Sequence, residues 1–206
     1  MKIHQLLKKD FWDKVSELLK MQKALDEKIW EEKGLSLSRF EMFELTRTAF
    51  IVELSEATNV AEFFKHWKDT RGNKADEGKT HEETLKEEFS DALHFILSMI
   101  NQMTEGEELT REQQKYIDDS YSTGEDNEEH LNDLYKFKFE GSAKTALFIQ
   151  VIDETLSLSI QWTTLDFLVF LYFIDYAKAC GVTFDDLYKA YMIKNKINYE
   201  RLESGY

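Results

Sequence analysis

Proline is absent from the 206 residues, and only eight glycines and one cysteine occur. Without proline and with little glycine, the chain lacks the punctuation of a turn-rich β architecture, which favours long helices. The single Cys180 excludes an internal disulfide and reads as a small buried hydrophobe. Positive charge is scarce too: 26 Lys and Arg stand against 40 Asp and Glu, a formal net charge of -14. That argues against nucleic-acid binding, which needs a basic face to neutralise phosphates. An anionic small substrate stays open, because bound cations reverse the local sign. Long apolar runs are also missing. The most apolar stretch, L-D-F-L-V-F-L-Y-F-I-D-Y over 165–176, is too short for a membrane span and is bracketed by acids. A buried core helix is the better reading. The opening M-K-I-H-Q-L-L-K-K-D has neither an apolar secretory core nor a small-residue cleavage site, so a cytoplasmic location is expected.

What is present reads mostly as helix by the 3.6-residue period. From about Ile3 to Trp30, residues Leu6, Leu7, Trp12, Val15, Leu18, Leu19, Leu25 and Ile29 form one broad apolar stripe, and Gly34 fits the stop. Ser36 or Ser38 caps a second helix running to about Phe64. A polar loop over 69–80 follows. Thr80 with Glu83 then opens a third helix as a capping box, reaching about Met103. The stretch 104–141 is acidic and polar. It reads as a variable surface insert holding a short helix near 110–121, its acid runs forming a solvated face. Helical patterning resumes over 142–160 and 164–179, Gly181 stops it, and Thr183 with Asp186 caps a last helix from Phe184 to about Leu202. No repeat or long linker divides the chain. The expectation is one all-α domain, a bundle of about six helices.

Two acid pairs break the apolar patterning. Glu53 and Glu56 follow the run Ala49, Phe50, Ile51, Val52 and Leu54, and Glu88 and Asp91 sit among Phe89, Leu93, Phe95, Ile96 and Leu97. Each pair is three residues apart and so shares a helix face. A buried carboxylate is costly unless a positive partner meets it. If the second and third helices pack antiparallel, four carboxylates converge and cannot all stay ionised without cations. Hard divalent ions resolve this, Mg²⁺ above all, since it takes carboxylates together with water and substrate phosphates. Glu82, Glu83 and Glu87 read as surface acids. D-A-L-H over 91–94 resembles half of a di-iron motif, but the partner helix has no histidine at the matching step and His66 lies ten residues beyond Glu56.

The blocks E-L-S-E (53–56) with F-K-H-W-K (64–68), and E-F-S-D-A-L-H-F (88–95), resemble the dimeric all-α dUTP diphosphatases of the MazG-like pyrophosphohydrolase superfamily. So do L-K-M-Q-K-A-L-D-E-K (19–28), similar to the family's uracil-site helix, and the final block from Tyr191 to Tyr206, similar to its phosphate-binding helix. The four blocks span nearly the whole chain in the family's order. The resemblance implies hydrolysis of dUTP to dUMP and pyrophosphate with two or more Mg²⁺ ions, in a homodimer. Glu53, Glu56, Glu88 and Asp91 would be the catalytic metal ligands, with Glu53 orienting or deprotonating the attacking water. Lys194, Asn198 and Arg201, one stripe of the last helix, would meet phosphates, as would Lys65 and Lys68. Gln22 would pair with uracil, with Trp67, His94 and Phe95 as the wall. Asp26 stands where many members carry Asn. A carboxylate donates no hydrogen bond unless protonated. Asp26 therefore either turns to the sugar or marks a shifted base preference. Other readings are a pyrophosphohydrolase of another pyrimidine or modified nucleotide, and a non-enzymatic helical interaction protein.

Overall fold

The computed structural model describes residues 9–125 and 140–205, which are helical with no strand among them. The helices are α1 (Lys9–Lys33), α2 (Arg39–Ala61), α3 (His81–Thr104), α4 (Arg111–Glu125), α5 (Glu140–Ser157), α6 (Leu168–Ala179) and α7 (Phe184–Glu203). A 3-10 turn, Thr164–Phe167, leads into α6. The expected start of the first helix near Ile3 and much of the acidic insert (126–139) lie outside the described residues.

Helix boundaries follow local chemistry. Capping boxes at Ser38/Glu41, Thr80/Glu83 and Thr183/Asp186 open α2, α3 and α7, each satisfying backbone donors that the first turn leaves without partners. The second helix stops at Ala61 rather than near Phe64. Glu62 takes the left-handed conformation (φ 56°), and Lys65 Nζ donates to the Asn59 carbonyl that the ending helix leaves open. The stretch over 164–179 is also divided, its first turn being 3-10, a common lead into an α-helix. At the far end of α3, Arg39 donates to the Gln102 and Met103 carbonyls, both at 2.9 Å.

Helix α3 is the centre, packed against α1, α2 and α7. Thr46, early in α2, meets Gln102, late in α3, whereas Glu53 and Glu56 meet Glu88, so the two helices run antiparallel. Helix α5 packs on α6. Arg47 on α2 reaches the Leu156 and Leu158 carbonyls at the end of α5. The core has an aromatic centre in Phe50, Phe89, Phe173 and Tyr176, all fully buried. Each such ring contributes about 1.5–3 kcal/mol by leaving water. The Tyr176 hydroxyl is satisfied by Thr58 Oγ1 at 2.6 Å. Most of the apolar stretch 165–176 is buried in this core, with Leu165 exposed at its start, and no single described helix is long and apolar enough to cross a membrane.

Candidate active site

Glu53 and Glu56 occupy adjacent turns of α2, and Glu88 faces them from α3. One carboxylate oxygen from each lies within 4.8 Å of the others. Glu53 and Glu88 are partly buried and Glu56 is exposed. Burial, then the charges of Glu56, Asp91 and Glu53, push the Glu88 carboxyl up to about 7. Glu53 is raised by burial and by Asp91 and Glu56. Asp91, one turn beyond Glu88, stands outside this trio and accepts from Lys194 Nζ at 2.8 Å. Burial raises its pKa, while Lys194 and Arg201 pull it down. Lys194 also reaches Glu87 at 3.3 Å. Burial opposes its charge, but Asp91 and Glu87 outweigh that and raise its pKa. Three converging hard oxygen donors, two of them (Glu53 and Glu88) raised by burial and then by their acidic neighbours, with a fourth carboxylate beside them, fit a divalent cation, whose charge would offset the repulsion.

Lys65 and Lys68 are held elsewhere. Both donate to Glu62, Lys65 at 3.2 Å, and the Asn73 amide adds a longer bond at 3.4 Å. Glu62 has no solvent contact, and Lys65, Lys68 and the Asn73 amide all bind its carboxylate. The hydrogen bond from Lys68 therefore outweighs desolvation and holds the carboxyl down at about 2. This ion cluster closes the end of α2 and occupies the two ammonium groups expected at phosphates.

The residues expected at the base form a closed network. Gln22 Nε2 donates to Asp26 Oδ1 (2.7 Å) and Ser98 Oγ (3.2 Å). Gln22 Oε1 lies 2.7 Å from His94 Nδ1 and accepts from the Tyr191 hydroxyl at 3.0 Å. Ser98 donates to the other Asp26 oxygen, and Asn195 Nδ2 donates to Tyr191. All four positions of the Gln22 amide are thus taken within the protein, which differs from an amide open to a pyrimidine edge. Since an amide oxygen only accepts, His94 Nδ1 carries the proton toward Gln22. His94 stacks on Tyr191 (4.2 Å between centroids), and burial drives its pKa down to about 3, so the ring is neutral with Nε2 a bare acceptor. That Nε2 has no partner among the described residues. Asp26 is raised to about 6 by burial, against the pull of Ser98 and Gln22.

Phe95 is half-buried against the core. Trp67 is 65% exposed, beyond the end of α2, with Phe64 and His66 as edge-on neighbours. Asn198 and Arg201 follow Lys194 along α7, Asn198 half-buried and Arg201 exposed. Glu62, Ser98 and Tyr191 enter the site beyond the residues expected from sequence, and Glu87, expected at the surface, pairs with Lys194 and Lys79. Glu62 stands three and six residues before the two lysines it binds, a local signal. Ser98 and Tyr191 carry no such signal, because their partners lie on other helices.

Fold and site together define an all-α protein with a carboxylate centre between antiparallel helices. A family model described as dUTPase matches residues 14–206, and the chain belongs to that family, the all-α MazG-like type. No curated protein matches the chain. The family places the chain among the nucleoside triphosphate pyrophosphohydrolases as a dUTP diphosphatase, and it implies a divalent metal in general.

Proposed function

We propose that the protein hydrolyses dUTP to dUMP and pyrophosphate with Mg²⁺, as a homodimer. The observation that carries this is the convergence of Glu53, Glu56 and Glu88 oxygens within 4.8 Å, with Asp91 one turn away. Glu53, Glu56, Glu88 and Asp91 would hold the metal. When bound, Mg²⁺ supplies charge neutralisation for the phosphate chain and acidifies water. The water oxygen attacks the α-phosphorus, the bond to the bridging oxygen breaks, and pyrophosphate leaves. Glu53 takes the water's proton. Burial and the neighbouring Asp91 and Glu56 raise its carboxyl above the ordinary value, which strengthens it as a base. Lys194, anchored by Asp91 and Glu87, presents a positioned charge to the phosphates, with Asn198 and Arg201 along the same helix. Lys65 and Lys68 serve by keeping Glu62 neutralised.

The test is pyrophosphate release from dUTP, dTTP, dCTP and UTP, with Mg²⁺ and with EDTA. Turnover of dUTP above the other three, lost with EDTA and reduced about 100-fold or more in Glu88→Gln, is the expected result. Equal turnover in Glu88→Gln and wild type overturns the assignment of the centre. Preference for another nucleotide overturns the substrate alone.

A further inference from the structure

Two lysines share one carboxylate at two places in the protein, and the two places differ in burial. Lys65 and Lys68 share Glu62, whose side chain is 0% exposed. Withdrawing either ammonium would strand a buried charge, which is costly. Lys79 and Lys194 share Glu87: Lys79 binds its Oε2, and Lys194 reaches its Oε1 at 3.3 Å. Here the carboxylate is 39% exposed and the Lys79 side chain 37%. Water can rehydrate Glu87, and an ion pair this exposed contributes little. Lys79 can therefore exchange its partner for a more highly charged anion at small cost, whereas Lys65 and Lys68 cannot.

The backbone also fixes where Lys79 stands. It directly precedes Thr80, the cap of α3. Its amide closes a turn by donating to the Asp76 carbonyl at 3.1 Å, with Gly78 at a φ of 79°. The Asp76 amide donates to Thr84 Oγ1 at 3.0 Å, which ties this turn to the start of α3. Glu87 and Asp91, four residues apart, share the face of α3 that meets Lys194 of α7. The contacts Lys79–Glu87–Lys194–Asp91 thus run from the turn to the edge of the carboxylate centre. The two ammonium groups stand on either side of one carboxylate, a separation that neighbouring phosphate groups can bridge.

We propose that Lys79 is a further substrate-binding residue, which with Lys194 contacts the two outer phosphates of the nucleotide, while Glu87 holds both ammonium groups in the free protein. This rests on the hydrolytic reading. The α-phosphate, where water attacks, belongs beside the Glu53, Glu56 and Glu88 oxygens. Lys79 lies one carboxylate farther out than Lys194 and so meets the portion that leaves as pyrophosphate. A point charge on a flexible stem suits phosphate oxygens that move away as they leave.

Calorimetric titration tests this without turnover. The probes, in Mg²⁺, are α,β-imido-dUTP, whose bridging N–H resists cleavage, and dUMP, which lacks the two outer phosphates. Lys79→Gln should bind the imido analogue about tenfold more weakly than wild type and bind dUMP within about twofold of it. Lys189→Gln removes an exposed charge five residues before Lys194 on α7 and should bind both probes as wild type does. Equal affinity of Lys79→Gln and wild type for the analogue, an equal loss for dUMP, or an equal loss in Lys189→Gln overturns the assignment of Lys79. Binding of neither probe by wild type overturns the hydrolytic reading, and this assignment with it.

Discussion

Replacing Gln22 by Met separates two roles that the sequence alone makes indistinguishable. Met keeps the length and apolar bulk but removes both amide functions. Gln22 is nearly fully buried, so nothing from solvent replaces them. The Tyr191 hydroxyl loses its acceptor while still accepting from Asn195, and the His94 Nδ1 proton loses its own. Each buried donor left without a partner costs about 1–3 kcal/mol. His94 can move its proton to Nε2, which trims the second cost, and Asp26 retains Ser98 as a donor. The sum is about 3 kcal/mol. For a protein of this length that corresponds to a fall of about 6–12 °C in Tm. Urea unfolding monitored by circular dichroism measures it, with the KM for dUTP determined on the same preparation. If Gln22 is the internal hub, the unfolding free energy drops by that amount. If the amide instead meets the base, KM rises while stability stays within about 0.5 kcal/mol of wild type, and that result refutes the reasoning.

Two further predictions concern pH. Glu62 has a folded pKa of about 2 against an ordinary 4.5, because Lys68 and Lys65 bind the ionised form. Its contribution is complete above the unfolded value and lost as pH falls from about 4.5 through 2. Glu62→Gln should therefore be less stable than wild type at pH 6, with the gap closing toward pH 3; a gap independent of pH in urea melts would contradict the pairing. Asp175 behaves in the opposite sense. Burial raises its carboxyl to about 7 from 3.8, and it accepts from the Tyr121 hydroxyl across α4 and α6. Its contribution is complete below the unfolded value of 3.8 and lost as pH rises through about 7. Asp175→Asn, which keeps an acceptor for Tyr121, should flatten the decline in stability between pH 5 and 8. A variant that declines as steeply as wild type would show that another group titrates there.

The sequence determined the helical class, the caps at Thr80 and Thr183, the choice of Ser36 or Ser38 for the second helix, and the position of the acid pairs, because these depend on neighbours within a turn or on a 3.6-residue period. Convergence of Glu53, Glu56 and Glu88 was also foreseeable, once two amphipathic helices joined by a modest loop were expected to pack antiparallel. Tertiary structure decided which charges remain available. Asp91 is turned to Lys194, and Lys65 and Lys68 to Glu62, since an ammonium settles on the nearest unscreened carboxylate and that choice depends on how the chain bends after Ala61. It also decided that Gln22 is saturated, whereas the Gln102 oxygen has no partner among the described residues. Hydrogen-bond capacity is a property of residue type, but which part of it is spent depends on helices far apart in the chain: Ser98, His94 and Tyr191 around one amide, Thr46 alone beside the other.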